Sequence, residues 1–369
     1  MAALLKVDNI STASNTGTAN LTLNSDGSVS VPNTLAMGSS FKRNRIINGN
    51  MGVWQRGTSF SLASGSYVYT TDRFFAKYAS VGTASQSTDV PTTTGSSFQY
   101  SLKLQRNSGQ TSTSGNYLTQ IIESINCYDL SNQTVTLSFW AKKGADYSGS
   151  GNNLSVALQT GTAADQGQVA WWNGFTGNAT PINTSVTLTS SWQKFSVTGT
   201  CGAGILEAAP FWVYSGQGTA GADDSFYITG VQLEVGSIAT PYERQIYSEQ
   251  LAQCQRYYYR MKAEGIASTF CTGFNDSTTV AAGATFFPVQ MRAAPSALEQ
   301  SGTASDYRIR YQGGVNTVCS SVPTISASTG TVNTVSTVFT TSSTVLNSGG
   351  GCLMQAATAS AYIGWSAEL

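Results

Sequence analysis

The sequence contains no histidine. That removes the commonest general base and the commonest metal ligand. A Ser-His-Asp triad and any zinc site that uses imidazole are excluded with it. Charge is also scarce: Lys, Arg, Asp and Glu together make up 10% of the 369 residues, against about 25% in an average soluble domain. The 19 basic and 19 acidic residues cancel, so the basic footprint of a nucleic-acid binder is missing. No apolar run approaches the roughly 20 residues that span a bilayer, so no membrane insertion is expected. The opening MAALLKVDNIST is too short in apolar length to read as a signal peptide. None of the six cysteines (Cys127, Cys201, Cys254, Cys271, Cys319 and Cys352) stands at C-x-x-C spacing, which leaves a structural zinc site unsupported. They read as reduced, buried small hydrophobes, with a disulfide between strands of the C-terminal part as the alternative.

What is present is apolar and aromatic content enough for real cores, 40% and 11% respectively. The chain is too long for one ordinary domain, so two are expected. Ser, Thr, Asn, Gln and Gly must cover most of its surface. Residues 1–42 are thin in large apolar side chains, but Leu21 and Leu23, a Ser-Asp-Gly turn, then Val29 and Val31 describe a small hairpin. A lone hairpin is marginal in water, so this segment needs its own copies or another protein. From KRNRIINGNMGVWQRG onward, strand-like segments bounded by Gly, Ser, Asn and Asp follow at regular spacing. RIINGNMGVWQ, YTTDRFFAKYAS, QTVTLSFWAKKG, SVTLTSSWQKFSVTG and DSFYITGVQLEVG are among about nine such segments over roughly 200 residues, the pattern of a two-sheet antiparallel sandwich. Leu137, Phe139 and Ala141 alternate with Thr136, Ser138 and Trp140. SEQLAQCQRYYYR then breaks the strand texture. Ser248 suits an N-cap, and Leu251, Cys254 and Tyr258 share a helical face; a strand over Tyr257 to Arg260 follows. After it a second, smaller β body of about 110 residues runs to the end. The fold class expected is all-β: an N-terminal anchoring hairpin (1–42), an antiparallel jelly-roll sandwich (43–245), a linking helix (246–260) and a C-terminal β-sandwich knob (261–369).

NRIINGNMGVWQRGTSF, YTTDRFFAKY, LSFWAKKG, SSWQKFSVTG and FYITGVQLEVGSIATPYERQIYSEQLAQCQRYYYR, in that order, resemble bacteriophage virion proteins of the tail-fibre-like and capsid-fibre-like kind. The resemblance covers roughly residues 44 to 260. It implies a jelly roll similar to carbohydrate-binding modules and a trimeric fibre or spike held to the virion by its thin N-terminus. It implies assembly in the host cytoplasm and contact with a host-surface glycan. A purely structural capsid fibre or tail adaptor is the rival expectation, and a polysaccharide depolymerase a third. Glycoside hydrolysis uses two facing carboxylates; no motif here brings two together, so no enzyme is expected.

Sugars stack on aromatic faces, which directs attention to the tryptophans. Trp54, Trp140 and Trp192 sit in alternating strand text and read as core. In VAWWNGF, an extended backbone would turn one of Trp171 and Trp172 outward, with Gln168 and Asn173 beside them to bond hydroxyls. Tyr117, Trp212 and Tyr214 are further stacking candidates. Asp223, Asp224 and Glu234 are candidates for a structural calcium, which takes six to eight oxygens; otherwise no cofactor is expected. Asp72 and Arg73 read as a local buried ion pair.

Overall fold

The structure is a computed structural model that describes residues 42–92, 98–326 and 330–369, and the backbone of three short strands before them. Those strands are Asn9–Ile10, Leu21–Leu23 and Val29–Ser30, and they form an antiparallel sheet. The expected hairpin is its second half; the rest of the anchoring segment lies outside the described residues. Among the described residues no helix is long and apolar enough to cross a membrane.

Residues 44 to 245 build a sandwich of two six-stranded sheets. The first runs, in order, Gln193–Thr200, Thr134–Lys143, Ser225–Val235, Ser101–Arg106, Gly82–Ser87 and Ser59–Leu62. The second runs Ala179–Thr187, Asn153–Gly161, Glu207–Tyr214, Asn116–Thr119, Phe75–Tyr78 and Tyr67–Tyr69. Every pairing is antiparallel, and the chain passes back and forth between the sheets. Period-two alternation supplies the core: Leu137, Phe139 and Ala141 of one sheet face Leu154, Val156, Leu158 and Trp212 of the other, all fully buried.

Two segments differ from expectation. RIINGNMGVWQ is not a strand but a folded loop. Its centre is Asn48, buried at φ 60°, whose Nδ2 donates to Val53 O at 3.0 Å and Thr71 Oγ1 at 2.9 Å. Its Oδ1 accepts the Gly52 and Val53 amides, both at 2.9 Å. An asparagine that tolerates positive φ and bonds nearby backbone makes a turn where strand pairing was expected. SVTLTSSWQKFSVTG is two strands, not one, and its halves lie in opposite sheets.

The helix is Tyr247–Gln255. Ile246, not Ser248, precedes it, without a side-chain cap. Its buried face is Gln250 and Cys254, and Gln250 Nε2 reaches Asn48 Oδ1 at 3.1 Å. The chain leaves it as strand Tyr258–Lys262, paired with Tyr362–Ser366. These two and Ala297–Gln300 form a three-stranded sheet packed on a seven-stranded one. The latter runs Val315–Val318, Tyr307–Tyr311, Gly351–Ala356, Thr269–Asn275, Val280–Phe286, Thr334–Thr340 and Thr324–Ile325. Tyr307, Met354, Ile363 and Trp365 anchor its own core. All six cysteines are buried and free.

The seam between the sandwich and this second body is rich in charge. Glu368 lies between Arg73, its hydrogen-bonded partner, and Arg56 at 3.3 Å. Arg56 also meets Glu299 at 3.0 Å and stacks on the Tyr258 ring at 3.5 Å. Arg256 grips Glu123 through two bonds of 3.0 and 2.6 Å, and Tyr257 donates to the same carboxylate at 2.8 Å. Arg73 thus pairs across 295 residues with Glu368, and not with its neighbour Asp72 as the sequence suggested. Asp72 instead accepts the amide and the side chain of Gln55. Burial pushes the Asp72 carboxyl up to about 6, against the pull of Arg56 and of those bonds.

The Arg73 and Glu368 side chains are 2% and 4% exposed. Removing one partner of a buried pair leaves an uncompensated charge, at about 3–5 kcal/mol. Glu368→Gln should therefore lower unfolding free energy by about that much in chemical denaturation; a loss below about 0.5 kcal/mol, the surface-pair range, would contradict the burial of this pair.

Candidate functional site

VAWWNGF is helical, over Gln168–Asn173, with Gly167 before it and Gly174 at φ 90° after it. Consecutive helical residues are about 100° apart, so the two tryptophans still diverge, for a different reason than an extended backbone would give. Trp171 is 4% exposed, edge-on to Phe75 at 5.4 Å and packed on Tyr117 at 6.0 Å and Phe211 at 5.7 Å. It is core. Trp172 is 43% exposed, but Lys77 Nζ sits 3.9 Å from its ring centre and Tyr117 meets it edge-on at 5.1 Å. Gln168 bonds the side chain of Tyr69, and Asn173 is exposed. Of this set, Trp172 and Asn173 alone are open to a ligand, and the ammonium covers one face of that indole. Trp212 and Tyr214, the other stacking candidates, are fully buried.

The calcium candidates do not converge. Asp224 is fully buried and faces inward, where Arg106 Nη1 reaches it at 2.7 Å. Ser148 Oγ adds 2.8 Å and the Tyr214 hydroxyl completes the shell. Asp223 faces outward to Lys103 at 2.8 Å and Ser225 Oγ at 2.7 Å. Glu234 is near the far end of the strand Ser225–Val235 that follows them, where Thr240 donates its amide at 2.8 Å and its hydroxyl at 2.7 Å. A guanidinium therefore occupies the inner carboxylate. The GSIATPYE segment folds over the outer end of the strand, with the Glu243 amide on Gln232 Oε1 at 2.8 Å. Among the described residues, no group of three His, Cys, Asp or Glu is placed to hold a metal.

The aromatic surface that the sequence reading missed is the outer face of the first sheet. Trp140 and Trp192, expected in the core, are half-buried there, with Tyr227 on the strand that flanks Trp140's on the other side. The signal was present: Trp140 alternates with Thr136 and Ser138, the polar side of its own strand. A bulge shapes this face. The register shifts between Ser138 and Trp140 opposite Gly230, whose φ is 63°. A Cβ at Gly230 would come within 2.6 Å of Phe98 and 2.9 Å of Trp140, so only glycine lets these rings lie over the backbone.

Two ion pairs frame the rings. Trp192 and Tyr227 have centroids 6.3 Å apart at 72°. Lys142 Nζ is 4.8 Å from the Tyr227 centroid and bonds Asp89, which also accepts Trp192 Nε1 at 2.8 Å. Lys103 Nζ is 5.3 Å from the Tyr227 centroid and pairs with Asp223. Partial burial works against ionisation of Asp89 and Asp223, but the bonds from Lys142 and Trp192 to the first, and from Lys103, Ala145 N–H and Ser225 to the second, hold both below the usual carboxylate range. The result is a shallow surface with apolar ring area, two fixed anionic acceptors and two ammonium donors, all partly open to solvent.

Comparison with known proteins gives no family model and no curated protein that matches the sequence. Among solved structures the chain is similar to the enzymatically active domain of tailspike protein 4 of bacteriophage CBA120, at 16% identity and a TM-score of 0.34, over 53% of this chain and 22% of that one. It is also similar to a CBM22 xylan-binding domain from Paenibacillus barcinonensis, at 12% identity and a TM-score of 0.32, over 53% of this chain and 96% of that one. The tandem of two CBM22 domains from the same protein aligns over 83% of this chain and 98% of its own, at 11% identity and a TM-score of 0.32. The chain thus spans less than a quarter of the tailspike domain it resembles.

One further carboxyl stands out near the seam. Glu207 is fully buried, its Oε2 accepts the Gln166 amide at 2.9 Å and its Oε1 has no partner. Burial pushes it up to about 8, Asp165 adds to this, and the Gln166 bond and Arg292 oppose it. Its folded-state value lies above its unfolded one. Its contribution is then fully present below about 4.5 and is lost as pH rises towards about 8. Thermal stability should fall across that window, and Glu207→Gln, which cannot ionise, should flatten the fall. An unchanged pH profile in the variant would show that Glu207 is not the group responsible.

Proposed function

We propose that the chain is a non-enzymatic phage virion fibre or spike protein whose sandwich binds a host-surface glycan. The observation that carries this reading is the outer face of the first sheet, where Trp192 and Tyr227 stand between the Lys142–Asp89 and Lys103–Asp223 pairs. A ring face covers the apolar C–H side of a sugar, and the flanking carboxylates and ammonium groups meet its hydroxyls. The virion assignment rests on the ordered motifs from NRIINGNMGVWQRG to YSEQLAQCQRYYYR. In this reading residues 1–42 attach the protein to other virion proteins and help it form a homotrimer. Residues 43–245 are the glycan-binding sandwich, 246–260 the joining helix and 261–369 a distal knob, and assembly takes place in the host cytoplasm.

Aromatic anchors with an accessible ring face dominate binding surfaces, and removing one costs about 1–3 kcal/mol. Trp192→Ala and Tyr227→Ala should each reduce adsorption to host cells and retention on a glycan array by that amount, with the thermal midpoint nearly unchanged. Trp171→Ala should do the opposite, losing about 3–5 kcal/mol of stability because it empties a packed site. Normal adsorption by both outer-face variants would reject this site.

Homotrimer assembly is tested separately. Light scattering on the full chain should return three times the 38.8 kDa of one chain. A stable monomer at micromolar concentration would contradict it.

A further inference from the structure

The seven-stranded sheet of the C-terminal body has an outer face that the reading above does not use. Antiparallel register places Thr272 opposite Ala284 and Phe274 opposite Ala282. The next strand sets Ser336 beside Ala284 and Val338 beside Ala282. Directly opposed residues share a face, so all six stand on the same side. Their alternation partners Ala281 and Phe339 are fully buried on the other. Over this stretch the middle strand thus presents only the Ala282 and Ala284 methyl groups, between taller side chains on strands about 10 Å apart. The depression is a cavity of about 440 Å³, within the range of small-ligand sites.

Phe274 is 54% exposed and belongs to neither the core nor any ring pair. On its far side stands Gly351, where an added Cβ would meet nothing within 4 Å. The residues directly opposed to the ring on its two neighbouring strands are therefore Ala282 and Gly351, neither taller than a methyl group. Asp276 lines the same cavity, and among the described residues its carboxylate makes no hydrogen bond or ion pair; Thr272 and Ser336 line it too. Among the described residues no Lys or Arg lines it. A second exposed phenylalanine, Phe286 at 75%, ends the floor four residues from Ala282, about 13 Å along the strand. One exposed phenylalanine alone would be ordinary. An unpacked ring beside a cavity, with a free carboxylate and hydroxyls as the polar groups, is a different arrangement.

We propose that this groove is a second ligand site, for a neutral saccharide, with Phe274 as the stacking platform and Asp276 as a hydroxyl acceptor. The chemistry selects the class. A purely apolar ligand would desolvate Asp276 without a partner. An anionic one would face that carboxylate with no cation to offset it. A neutral polyol donates hydrogen bonds to the carboxylate and lays its C–H face on the ring. The site stands on the C-terminal body and does not depend on the surface around Trp192.

The test is methyl NMR of the full chain labelled at alanine, titrated with cellotetraose, maltotetraose and mannotetraose, with tetragalacturonate as the charged comparison. The Trp192 indole N–H is followed in the same samples. At least one neutral tetrasaccharide should shift the Ala282 and Ala284 methyls. Phe274→Ala should weaken that binding about tenfold or more, and Ala284→Leu, which fills the groove from an exposed position, should abolish it while the other methyl shifts stay in place. Shifts at Trp192 without shifts at Ala282 and Ala284 would overturn the second groove and leave the sandwich surface standing. A stronger response to tetragalacturonate, unchanged affinity in Phe274→Ala, or no alanine shift with any neutral sugar would each overturn it too.

Discussion

Glu368, held between Arg73 and Arg56, is the contact on which the arrangement of the two bodies depends. In a chain with so little charge, the seam draws Arg56, Arg73, Arg256 and Arg292 into pairs with Glu368, Glu299, Glu123 and Asp165. Buried charges are tolerable only when matched, and a matched set admits one relative placement. The consequences reach further than the ions. Tyr69 donates to Leu369 O at 2.8 Å, and Leu369 joins Phe75, Ile121 and Trp171 in one apolar cluster. The residues that follow the last strand therefore finish the packing of a sheet built some 300 residues earlier.

Strand alternation then decides what the sandwich presents to solvent. With Leu137, Phe139, Phe226 and Ile228 turned inward, Trp140, Lys142 and Tyr227 must face out. One end of that outer face is closed by the segment from Gly236 to Glu243, held by Gln232 and Glu234. The VQLEVGSIATPYE motif thus has a structural explanation: its polar residues bond one another and cover the sheet. The other end stays open, and the Lys–Asp pairs there keep charged groups beside the rings without a net charge. Such a surface suits a ligand rich in hydroxyls better than one rich in charge.

Much of this was legible from sequence where the physics is local. Alternation identified the all-β class and the strands Thr134–Lys143 and Ser225–Val235; the helix was legible from its composition, with its cap placed at Ser248, two residues past Ile246. The misses have physical causes. Gly167 and Gly174 allow a six-residue helix in VAWWNGF, so Trp171 enters the core by helical and not strand geometry. Trp140 was assigned by its hydrophobicity although its own alternation placed it outside. Asp72 and Arg73 are adjacent, but Arg73 finds its partner 295 residues away. Pairings of that range leave no trace in spacing. The same holds for the knob groove, which exists because register sets Ala282 and Ala284 between Phe274 and Val338.

The central claim is that a glycan lies on the rings of Trp192 and Tyr227. A crystal structure of the chain with an oligosaccharide released from the host surface tests it most directly. The account predicts a sugar ring stacked on one of these two side chains, with hydroxyls within hydrogen-bond distance of Asp89 or Asp223. A sugar bound only against Trp172, or at a seam between subunits, with the outer face of the first sheet bare, would contradict it.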